Sequence, residues 1–113
     1  MIATASTDKT VRLWDLRNLK IPVNILAGHR YPVRRVRFSP HTPNIIATGS
    51  YDMNVHIYDL KDPVTPLKLK HAQHTEFVTA LDFSLHHEKM IGSASWDGRA
   101  LVWEFDKPQP VIT

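Results

Sequence analysis

The 113-residue chain contains no cysteine, which excludes a disulfide framework and a thiolate metal site and fits a reducing compartment without establishing one. No apolar run approaches the roughly 18 residues of a membrane-spanning helix, and no basic N-terminal segment leads into a long apolar one. A soluble, unsecreted protein without direct membrane insertion is expected. Also missing is any segment with the 3.6-residue apolar period of an amphipathic helix. What is present is ordinary globular material, 42% hydrophobic and 22% charged residues, a balance that supports a packed core. The net charge of +3 and pI near 9.4 leave an acidic partner or nucleic acid to be weighed.

The chain writes one pattern three times: IATASTDKTVRLWDL over residues 2–16, IIATGSYDMNVHIYDL over 45–60 and IGSASWDGRALVWEF over 91–105. Asp8, Asp52 and Asp97 lie 44 and 45 residues apart, and each stands six residues before an aromatic, Trp14, Tyr58 or Trp103. A period of that size marks a repeat architecture. Each copy reads as two short strands around a tight turn. Residues 32–38 and 78–83 read as strands ahead of the second and third hairpins, residues 23–27 and 67–70 as strands behind the first and second, and residues 62–66 as a proline-bounded turn. In residues 32–38 the alternation places Val36 and Phe38 on one face and Arg35 and Arg37 on the other.

Four short strands per unit, Gly28-His29 ahead of a hairpin and Trp-Asp at its end, resemble the WD repeat. His29 precedes Asp52 by the same 23 residues that separate His74 from Asp97, and Phe38-Ser39 recurs as Phe83-Ser84. The resemblance implies an all-β fragment of a WD-repeat β-propeller, about two and a half four-stranded blades of a seven-bladed ring. Its divisions are a partial blade at 1–27 (strands b, c and d), a complete blade at 28–72, and a blade at 73–113 with only residues 111–113 available for an outer strand. The resemblance further implies one hydrogen-bonded set of His29, Thr48, Asp52 and Tyr58, a second of His74, Ser93, Asp97 and Trp103, and a reduced set of Thr4, Asp8 and Trp14. Strands covered on both sides bury such polar groups, and buried carboxylates and imidazoles must be partnered. Tyr58 stands where the pattern has Trp, so its hydroxyl has to reach where an indole N–H would donate.

Hydroxyl, imidazole and carboxylate are also the ingredients of nucleophilic catalysis. Because the set recurs once per repeat, as a fold device does and an active site does not, no enzyme activity and no cofactor are expected. His71 and His74, or His86 and His87, lack the carboxylate or thiolate that would complete a zinc spacing. Arg30, Arg34, Arg35 and Arg37 form the densest basic run, without the interleaved aromatics of a nucleic-acid surface, so a solvated or salt-bridged rim is expected and no nucleic-acid partner.

The words WDLRN at 14–18, RRVRFSP at 34–40, SYD at 50–52, HTEF at 74–77, LDFSL at 81–85 and SWD at 95–97, in this order, resemble the C-terminal part of the receptors for the type-2 peroxisomal targeting signal. That resemblance implies recognition without chemistry. Such a receptor binds the N-terminal, amphipathic targeting helix of matrix proteins and, with a co-receptor and peroxisomal docking proteins, cycles between cytosol and peroxisome. A helix-in-groove site needs apolar anchors flanked by charge. Candidates are Tyr51, Glu76, Phe77 and Trp96, followed by Tyr31, Arg34 and Thr7; for each aromatic the alternative is packing between blades. The other functional reading is a generic WD-repeat scaffold of another multiprotein complex.

Overall fold

In a computed structural model, residues 1–62 and 66–105 are described. They form ten strands and, among the described residues, no helix: β1 (Ile2–Ala5), β2 (Val11–Trp14), β3 (Asn24–Leu26), β4 (Val33–Phe38), β5 (Ile45–Ser50), β6 (Val55–Asp59), β7 (Leu67–His71), β8 (Val78–Phe83), β9 (Met90–Ser95) and β10 (Ala100–Glu104). These make three antiparallel sheets in the orders β1-β2-β3, β4-β5-β6-β7 and β8-β9-β10. All-antiparallel sheets built from sequential hairpins are what the repeat pattern of a WD propeller calls for. The centre of the turn expected at 62–66, and residues 111–113, all that is available for an outer strand of the third sheet, lie outside the described residues.

Each hairpin turns on its repeated Asp. The carboxylates of Asp8, Asp52 and Asp97 accept the backbone N–H two residues on, from Thr10 at 3.0 Å, Asn54 at 3.0 Å and Arg99 at 2.8 Å, the local bond that makes Asp a turn residue. The next residue adopts positive φ: Lys9 at 75°, Met53 at 72° and Gly98 at 79°. Only Gly98 does so without steric cost.

The middle sheet is covered on both faces, which is why β5 and β6 are buried at nearly every position instead of alternating. Val11, Leu13, Leu26, Ile46 and Tyr58 pack between the first and second sheets. Ala47, Ile57, Leu81, Phe83, Ile91 and Trp103 pack between the second and third. Polar links tie the sheets together. The Val33 N–H donates to the Ser6 carbonyl at 3.0 Å, Arg35 Nε to the Thr79 carbonyl at 2.9 Å, and His41 Nε2 to the Ser84 carbonyl at 2.9 Å. On β4, Arg35 and Arg37 are exposed while Val36 and Phe38 are half-buried, because Val36 and Phe38 pack toward the first sheet.

Candidate binding face

The third sheet carries an unbroken polar chain. Trp103 Nε1 donates to Ser93 Oγ at 3.2 Å, Ser93 Oγ lies 2.8 Å from His74 Nε2, and His74 Nδ1 lies 3.0 Å from Asp97 Oδ2. The same Asp97 oxygen accepts the Thr75 N–H at 3.1 Å. Burial pushes the Asp97 carboxyl up, but the Thr75 N–H, His74 and the Arg99 N–H together hold it below the usual carboxylate range.

In the middle sheet the chain stops one member short. His29 Nδ1 lies 2.8 Å from Asp52 Oδ2 and His29 Nε2 lies 2.6 Å from Thr48 Oγ1. Tyr58, expected to extend this set, instead places its hydroxyl 3.0 Å from His56 Nδ1. The reason is reach: an indole N–H projects from the flank of its ring, whereas a phenol hydroxyl sits at the far end and overshoots Thr48. Gly28 is required there, since a Cβ would stand 2.6 Å from the Tyr58 hydroxyl oxygen. Burial pushes the Tyr58 hydroxyl up to about 12. Asp52 is held below its usual range by His29 and the Arg30 and Asn54 N–H groups, against the upward push of burial. The first sheet has the reduced set: Trp14 Nε1 donates to Thr4 Oγ1 at 2.9 Å, and Asp8, with no His, pairs with Arg12 at 3.0 Å.

Two histidines outside the sets implied by the repeat, His56 and His71, are central here. The His56 ring stacks on His29 with centroids 3.8 Å apart and an 8° tilt, and His71 stacks on the Trp103 indole at 3.8 Å and 2°. Both are 1% exposed. Burial, and then the neighbouring imidazoles, push both down to about 4, so both are neutral at pH 7. Alternation along β6 was the available signal for His56, since it shares a face with Tyr58. His29, Asp52 and His56 bring three ligand-type atoms within 4.8 Å of one another. Stacked rings aim their in-plane lone pairs in parallel, not at a common point, so this group is poorly shaped for a metal.

These networks fasten loops to turns at one end of the sheets. Asp52 holds the Arg30 N–H at 3.1 Å, Ser50 Oγ lies 2.8 Å from the Pro32 carbonyl, the Tyr51 N–H donates to that carbonyl at 3.1 Å, and the Trp96 N–H donates to the Phe77 carbonyl at 3.1 Å. The result is an aromatic row across two sheets. Tyr51 meets Phe77 at 4.6 Å with a 30° tilt, and Phe77 meets Trp96 at 5.1 Å with a 45° tilt. Trp96 is 67% exposed, Tyr51 and Phe77 are half-buried, and Glu76 is exposed beside Phe77. Tyr31 is 54% exposed and has no ring contact with the row among the described residues. Thr7, exposed, holds in the first turn the place that Tyr51 and Trp96 hold in the others, and contributes no ring. Arg34 is exposed at the start of β4.

The sequence model described as "WD domain, G-beta repeat" matches residues 1–15, 20–59 and 66–104. A peroxisomal targeting signal 2 receptor of Mus musculus is 38% identical over 88 residues, covering 78% of this chain and 27% of the relative. One of Schizosaccharomyces pombe is 34% identical over 104 residues, covering 91% and 33%. A histone acetyltransferase type B subunit 2 of Candida glabrata is 30% identical over 107 residues, covering 95% and 25%. The chain thus spans between a quarter and a third of the length of these relatives.

Proposed function

The chain belongs to the WD-repeat family, and from that premise we propose that it is part of a non-catalytic receptor for type-2 peroxisomal targeting signals, working with a co-receptor and docking proteins between cytosol and peroxisome. The carrying observation is the aromatic row of Tyr51, Phe77 and Trp96 at the loop end of the sheets. Partly exposed aromatics held on backbone-anchored turns are suited to bury the apolar side of a helix at little conformational cost. Glu76, beside the row, supplies a charge for a basic residue of the signal. The names of the Mus musculus and Schizosaccharomyces pombe relatives support this choice among WD-repeat functions.

The test is fluorescence anisotropy of a labelled type-2 signal peptide with the full-length protein. Saturable binding that a scrambled peptide does not reproduce, weakened at least about tenfold by Trp96→Ala, is the expected result. Equal binding of signal and scrambled peptides sinks the reading. The alternative, a scaffold of another multiprotein complex, is favoured by the similarity to the Candida glabrata subunit along nearly the whole chain. It predicts no signal-peptide binding at all.

A further inference from the structure

We propose that Arg34, Arg30 and Arg99 form an anion-reading subsite beside the aromatic row, which takes a segment of a partner protein carrying carboxylates next to apolar side chains. The inference rests on the row being a protein-binding surface, as above, but not on the identity of the cargo.

Arg34 is the extra residue of a β-bulge. Val33 is paired with Ser50 and Arg35 with Gly49, so Arg34 has no partner across the ladder. Bulges re-aim side chains and gather where ligands bind. The third sheet repeats the irregularity between Val78 and Ala80, with Thr79 as the extra residue, so the device recurs while its charge is particular to the middle sheet. Ser50, opposite Val33, immediately precedes Tyr51, which places Arg34 at the row's end of the sheet. Arg30 and Arg99 flank the same end on fixed backbone. The Arg30 N–H is held by Asp52 at 3.1 Å, and the Arg99 N–H by Asp97 at 2.8 Å. The Arg99 guanidinium also donates to the Gln73 carbonyl at 3.3 Å.

The charge balance of this end decides the ligand. Asp52 and Asp97 are already engaged by His29, His74 and backbone N–H groups. Asp8 is paired with Arg12. Beside the row that leaves Glu76 as the exposed carboxylate against three exposed arginines, none of which joins an ion pair among the described residues. Planar guanidinium groups read carboxylates bidentately. Phosphate would satisfy them too. The row argues against nucleic acid, because its rings are tilted by 30° and 45°, its middle ring is half-buried, and Glu76 repels a phosphate backbone.

The test uses the full-length protein and three labelled probes: two peptides of equal length with Leu and Phe at identical positions, one with Glu and the other with Lys at the polar positions, and an oligothymidylate. The Glu peptide should bind at least about tenfold tighter than the Lys peptide and weaken as salt rises. Arg30→Glu with Arg99→Glu should abolish or reverse that preference, while the type-2 signal peptide still binds and the thermal melt is unchanged. Arg30→Gln with Arg99→Gln should give an intermediate preference. Equal affinity for the two peptides, or a preference indifferent to both pairs of substitutions, overturns the proposal. So does oligothymidylate that binds as tightly and competes with the Glu peptide. If the signal peptide does not bind the unaltered protein while the Glu preference holds, the receptor reading fails and the subsite stands.

Discussion

Acidification should unfold this protein in a pH window set by two histidines, well above the pH at which its carboxylates protonate. His56 and His71 are each 1% exposed and titrate at about 4 in the fold against 6.5 unfolded. The sign follows from proton binding: between those values the unfolded chain takes up protons that the folded one refuses, so stability falls as pH falls. At pH 5, well inside the window, each histidine removes about 2 kcal/mol relative to pH 7.5, and the pair about 4 kcal/mol. Those figures are a large part of the stability of a small domain. The Asp52 and Asp97 carboxyls are held below their ordinary values, so their contribution is present above about pH 4 and is lost only below it. Urea melts at pH 7.5 and pH 5.0 measure the effect, read at constant m-value. His56→Asn keeps an acceptor where Nδ1 meets the Tyr58 hydroxyl, and His71→Phe keeps a ring against Trp103. The double variant should lose most of the pH 5 destabilisation. An unchanged difference between the two pH values in the double variant refutes the argument.

Other outcomes follow from the same contacts. Tyr58→Phe leaves the buried His56 Nδ1 without its partner at 3.0 Å and should cost about 1–3 kcal/mol in a chemical melt. Gly28→Ala should destabilise through the contact at 2.6 Å, and adding Tyr58→Phe should recover part of that loss, a coupling that a double-mutant cycle reads directly. Asp97→Ala strips the buried His74 of its acceptor along with the Thr75 and Arg99 N–H groups, and should lower the melting midpoint more than Asp8→Ala, which has no buried His partner to orphan. Met53→Gly should stabilise by up to about 1 kcal/mol, because Met53 sits at φ 72°, where a Cβ is disfavoured.

Much of the chain was legible because its information is local and repeated. Alternation and turn chemistry placed the hairpins to within a residue or two, since a strand shows its buried face in its own sequence and an Asp turn needs only its own backbone. The resemblance to WD repeats also pointed to His29 with Asp52 and His74 with Asp97, and the repeat carries both members at the same separation. Reach and stacking were not legible. Whether the Tyr58 hydroxyl meets Thr48 or His56 depends on where a phenol ends in three dimensions, and the two ring stacks, His56 on His29 and His71 on Trp103, join residues that no period links.

The sequence by itself determined the repeat, its strands and the residue types of the polar networks, because each follows from the pattern of one unit. Only the tertiary structure decided that Tyr51 of one sheet lies against Phe77 and Trp96 of the next. That contact exists because sheets pack face to face at a separation and stagger set by the whole core, which no single repeat encodes.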